Sequence, residues 1–220
     1  MSAVVSAEWL PARIPLPVKI GFSAFVAVLV PVYLYWYGPT NFLYFCDVAL
    51  ILTLIGIWTE SALLISMCAV GILAPQVLWV VDFLSNLVGY PLTGMTDYMF
   101  NSDSSLLLRS LSGFHGWLPF LLLYLVWRLG YERRALVAWS VLAWILLLIC
   151  YFVMPGPRPD AGLTPVNINY VFGMSETVAQ SFVQPLVWLA GLMIGLPLLA
   201  FLPTHFVMRR FVPQAKASSL

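Results

Sequence analysis

The stretch NFLYFCDVAL, Asn41–Leu50, sets an asparagine, a cysteine and an aspartate within seven positions, between long runs of residues that belong in lipid. If it lies in a membrane helix, Asp47 carries a penalty of roughly 2.5–3.5 kcal/mol at the helix centre and needs a partner. Composition decides that it does. Of the 220 residues, 62% are hydrophobic and 9% charged, and mean hydropathy is +0.95. A soluble domain carries about a quarter charged residues. So few charges cannot cover a water-facing surface. The chain is read as all-α, a polytopic membrane helix bundle over residues 1–220 with no separate soluble domain. A net charge of +1 gives no ground for a nucleic-acid partner.

Working outward from that stretch, six segments reach the roughly 20 apolar residues that a crossing needs. They run over about 20–37, 40–58, 62–84, 106–127, 135–154 and 183–207. The first, with GFSAFVAVLVPVYLYWY, is too long for a signal-peptide core and lacks a small-residue cleavage site. Pro31, Pro75, Pro119 and Pro197 fall inside spans, where neighbouring helices can satisfy the freed carbonyls. Arg13, Lys19, Arg128, Arg133, Arg134, Arg209, Arg210 and Lys216 share one end if six spans alternate; only Arg109 and Arg158 take the other. Basic residues near span ends favour the cytoplasm, so both termini are expected there. The segments 89–105 and 155–181 then face outward.

The outward half also collects the polar side chains. Counting from Thr40, Cys46 lies roughly 9 Å into its span, and counting from Leu106, His115 lies roughly 13 Å in, at 1.5 Å per residue. Asp82, in WVVDF, reaches the same half, and Asn167 and Asn169, in NINYVFG, precede the last span. An ionisable residue inside a membrane marks a candidate functional site. Asp47 is expected to pair with His115, directly or through one water, and fix its tautomer as an orienting group does for a catalytic base. A neighbouring histidine is what would make the Cys46 thiolate accessible. Asn41, Asn167 and Asn169 are candidate donors to an oxyanion.

Each of these residues also has a structural reading. A cysteine in a membrane helix is most often a small packing residue, and Cys68 and Cys150 are read as such. An aspartate or histidine there can serve as interhelical glue. The odd cysteine count, inside apolar runs, argues against a disulfide framework. Trp36, Tyr37, Trp58, Trp79, Tyr90 and Trp127 read as interfacial belt residues, and His205 as interfacial. No metal-ligand spacing or phosphate loop is present, so neither a metal nor a cofactor is expected.

The order of NFLYFCDVALIL, ILAPQVLW, FHGWLPFLL and NINYVFG resembles the YwaF-type family of bacterial membrane proteins. It is similar also to that family's eukaryotic relative, a transmembrane ether-phospholipid acyltransferase. The likeness covers most of residues 38–200 and departs from the family in its shorter loops. It implies Cys46 as acyl-carrying nucleophile, His115 as its base, Asn169 and Tyr170 as the matching pair of the late loop, and a bacterial cytoplasmic membrane.

Two function classes follow. One is a lipid acyltransferase or hydrolase without a cofactor, in which Cys46 attacks an ester and Asp47 or Asp82 orients His115. Asn41, Asp82, Asn167, Asn169 and Tyr170 would then bind the substrate. The other is a non-catalytic subunit, scaffold or small-solute carrier held by a structural polar network. In both the partners are membrane lipids, with a homo- or hetero-oligomer compatible with either.

Overall fold

The computed structural model describes residues 14–90, 92–101 and 105–215. Arg13 and Lys216 of the basic set lie outside the described residues. The bundle is helical. α1 is Leu16–Trp36, α2 Phe45–Thr59, α3 Ala62–Leu87, α4 Leu106–Ser112, α5 Phe114–Leu129 and α6 Ala135–Phe152. α7 (Pro185–Leu196) runs through a π-turn, Pro197–Phe201, into α8 (Leu202–Phe211). Five of the resulting helical runs are long and apolar enough to cross a membrane; α2 is the shorter sixth.

Contacts fix which ends lie together. Lys19 Nζ, at the start of α1, donates to Glu60 Oε1 in the α2–α3 turn at 2.9 Å. The Glu132 N–H of the α5–α6 turn donates to Ser66 Oγ, one turn into α3, at 3.0 Å. Tyr131 N–H donates to Pro213 O behind α8 at 2.7 Å. The first and last described residues, the α2–α3 turn and the α5–α6 turn therefore share one end. The basic residues Lys19, Arg128, Arg133, Arg134, Arg209 and Arg210 cluster there as the alternation expects.

α3 is the central helix, with 61% of its apolar window buried against 17% for the last crossing. It packs on α2, α5 and α6. Its start is capped by Ser61, whose Oγ accepts from Leu64 N–H at 3.3 Å. The tight entry from α2 sets Glu60 in a left-handed conformation, φ 50°. The fourth crossing is interrupted at Gly113, between α4 and α5. One of the prolines has a visible consequence. Pro197 cannot donate to the Met193 carbonyl one turn back; the Trp144 indole Nε1 fills that gap at 2.7 Å.

One boundary differs from the sequence expectation in a way that matters. The span expected from residue 40 starts as a helix only at Phe45, because Pro39–Leu43 forms a 3-10 turn after Gly38, whose φ is +82°. At 15 residues, α2 is about 22 Å long, short of the roughly 30 Å hydrocarbon core. Irregular backbone at that depth is tolerated only where protein buries it. The second outer loop provides that cover.

Candidate functional site

At the outer end of α2, Asn41 donates from Nδ2 to Asp47 Oδ2 at 3.0 Å. Both side chains are buried, at 7% and 3% exposure. Asp47 sits in the first turn of α2, where the positive end of the helix dipole favours a carboxylate. Its Oδ1 has no hydrogen-bond partner among the described residues. The half-buried Cys46 has its Sγ 4.0 Å from Asp47 Oδ2. The three residues of the opening stretch thus bond to one another.

Asn169 closes the same turn from 124 positions away. Its Oδ1 accepts from Phe45 N–H at 3.0 Å, and its Nδ2 donates to Leu43 O at 2.9 Å and Cys150 Sγ at 3.4 Å. It therefore caps α2 in the place of a local cap, which Tyr44 does not provide. An asparagine amide has two N–H groups, and both are used. Asn167 is consumed likewise: Nδ2 donates to Gly173 O at 2.7 Å and Ser175 O at 2.8 Å, and Oδ1 accepts from Phe172 N–H at 2.8 Å. Neither amide has an N–H left for an oxyanion, which corrects the donor role expected of them. Asn167, Asn169 and Tyr170 all have positive φ, 48°, 57° and 59°. Asparagine tolerates that region and tyrosine seldom does. The carbonyl of Tyr170 takes the Trp188 indole at 2.8 Å.

His115 belongs to a different network. Its Nδ1 lies 2.8 Å from Ser112 O. A carbonyl only accepts, so the proton sits on Nδ1; Nε2 has no hydrogen-bond partner among the described residues. The ring stacks on Phe114, centroids 4.1 Å apart, and on Trp79, 5.1 Å apart. Ser112 Oγ and Tyr33 OH pair at 2.8 Å. No direct hydrogen bond joins His115 to Asp47, so the expected pair is not formed directly. Asp47 stands twelve residues, about 18 Å, above Thr59; the same rise along α3 from Ala62 reaches Ala74. His115 stacks on Trp79, about 7 Å nearer the outer end at 1.5 Å per residue.

Asp82 does not orient His115 either. Its Oδ1 accepts from Leu92 N–H at 3.0 Å and Thr93 N–H at 2.6 Å; its Oδ2 accepts from Thr96 N–H at 3.0 Å and Thr96 Oγ1 at 2.6 Å. Four donors exhaust a carboxylate. The residue folds the first outer loop onto the end of α3. In Asp82→Ala, the loop around 92–96 loses all four bonds at once. Hydrogen bonds to a charged group are worth about 1.5–3 kcal/mol each. Roughly a hundredfold faster cleavage there by protease added to the outer side is expected, since cleavage follows the population of the opened loop. Unchanged cleavage would remove the anchoring role.

Among the described residues, the hydrogen bonds of the outer half gather around Asp47, His115, Asp82 and Asn167. Sequence reasoning missed Trp79, read as a belt residue yet 8% exposed and stacked on His115. The signal was its position one turn before Asp82 on the buried face of α3. It also missed Tyr33 and Gln76, whose buried amide has no partner on either atom among the described residues. Cys150, read as packing, accepts a hydrogen bond from Asn169. His205, read as interfacial, is 7% exposed and bonds Tyr131 OH through Nδ1 at 2.6 Å. No family model, curated protein or solved structure matches the chain.

Proposed function

We propose that this integral membrane protein is a non-catalytic subunit or scaffold whose outer-half polar groups hold the bundle together. One observation carries the reading. The two side chains that acyl transfer must join have other partners: Cys46 Sγ lies toward the Asp47 carboxylate, and His115 bonds through Nδ1 to Ser112 of α4 and stacks on aromatics. Covalent catalysis needs a base within hydrogen-bond reach of the nucleophile. The asparagine amides and the Asp82 carboxylate, spent on backbone, support the same view. Its membrane is proposed to be the bacterial cytoplasmic one, with the basic end inside. Lipids surround it, and association with itself or with other membrane chains goes with a scaffold.

A second reading, a lipid acyltransferase or hydrolase of the kind the YwaF-type resemblance implies, draws support from one feature. With the proton held on Nδ1, His115 presents Nε2 as a base, and Cys46 is not fully buried.

A cysteine-directed electrophile on an acyl chain, added to membranes, separates the two. The scaffold reading expects slow labelling of Cys46 at the same rate in wild type and His115→Ala. Fast labelling that His115→Ala abolishes would overturn it in favour of the Cys46–His115 enzyme.

A further inference from the structure

At the basic end, the turn between α5 and α6 is locked to the chain that follows α8. Gly130, with φ +86°, passes so close to Ala215 that an added Cβ would sit 2.6 Å from its Cα. Tyr131 N–H donates to Pro213 O at 2.7 Å, and Ala215 N–H returns a bond to Tyr131 O at 3.0 Å. Below this crossing the Tyr131 and His205 side chains pair, at 1% and 7% exposure. The crossing residues also line a pocket of about 240 Å³, formed by Tyr131, Glu132, Arg133, Gln214 and Ala215. Its floor and walls are held by backbone bonds.

The charges around it do not balance. Among the described residues at this end, Glu60 is paired with Lys19 at 2.9 Å and Glu132 with Arg134 at 3.2 Å. Arg133 meets only the Gln214 amide oxygen, at 3.4 Å. Arg209 has no ion pair among the described residues. Both arginines lie within electrostatic reach of the buried His205. The pocket is lined by residues that follow the ends of α5 and α8, whose last turns carry the exposed Trp127 and Phe211, at 62% and 74%. A phosphate at this height can keep its acyl chains on those apolar side chains, which a free anion cannot use.

We propose that Arg133, in the wall of this pocket, and Arg209, whose backbone carbonyl accepts from the Gln214 amide of the same wall at 3.3 Å, bind the phosphate headgroup of an anionic phospholipid at its mouth. The reading is independent of whether the outer half is catalytic. Basic residues that only set topology would act as diffuse charge; a built site holds particular lipids through particular arginines.

The test uses the full chain in nanodiscs of phosphatidylcholine with a minor fraction of phosphatidylglycerol, with retained lipid counted by native mass spectrometry. Wild type is expected to keep phosphatidylglycerol selectively. The R133Q/R209Q double variant should lose roughly ten- to thirtyfold of that retention, while R158Q, at the opposite end, loses none. Unfolding temperatures in neutral detergent would confirm that the variants are folded. Equal retention in the double variant, or no preference over phosphatidylcholine, would overturn the site. Displacement of the lipid by millimolar inorganic phosphate would show an anion pocket and overturn the lipid assignment.

Discussion

Gly71→Ala is expected to destabilise the bundle strongly, although alanine is the better helix former by up to about 1 kcal/mol. A Cβ at position 71 would lie 1.8 Å from Trp139 Cε2 and 2.1 Å from its Nε1. Trp139 has no exposed surface and cannot swing away. Phe45 and Phe201 press its ring edge-on at 6.2 and 6.5 Å. Overpacking costs about 1–3 kcal/mol and occasionally more, and here it falls on a rigid aromatic in the central helix interface. The steric term outweighs propensity, so a net loss of roughly 2 kcal/mol or more is expected. Thermal unfolding in detergent, followed by tryptophan fluorescence, measures it. Gly191→Ala is the control, because nothing lies within 4 Å of its Cβ position, and it should be neutral. The double change with Trp139→Phe, which trims the ring, should recover part of the loss. A Gly71→Ala protein as stable as Gly191→Ala would refute the packing.

The second large effect is expected at Asn169. Removing its amide leaves Phe45 N–H and Leu43 O unpaired at membrane depth, each lost bond costing about 1–3 kcal/mol when the partner stays buried. Alanine adds strain at φ 57°, about 1–2 kcal/mol. Asn169→Gly removes the amide without the strain and separates the two. Glycine is expected to cost roughly 2–4 kcal/mol, and alanine about 1 kcal/mol more. Thiol accessibility of Cys46, next to the uncapped end, should rise with either. If both variants unfold at the wild-type temperature with Cys46 unchanged, the clamp has no energetic role.

The clamp shows where sequence reading runs out. NINYVFG was legible as an outward loop before the last span, and its asparagines stood out because few polar residues surround them. That their amides face the chain itself depends on a contact across 124 positions, which no local pattern encodes. The depth count for Cys46 and His115 applied helical rise from Thr40, whereas Gly38 and Pro39 open a 3-10 turn and α2 starts only at Phe45. Proline and glycine there were a visible signal of a delayed start.

The sequence by itself determined the class, the six apolar helical segments and the common end of the basic residues. These follow from solubility in lipid and from the alternation of spans, both properties of the chain read in one dimension. Tertiary structure alone decided which polar groups meet. In a bundle with so few of them, a shift of about five residues in helix height, roughly 7 Å, separates His115 from Asp47. It also decided that position 71 must be glycine, because the Trp139 ring that needs the space comes from a helix 68 residues further along the chain.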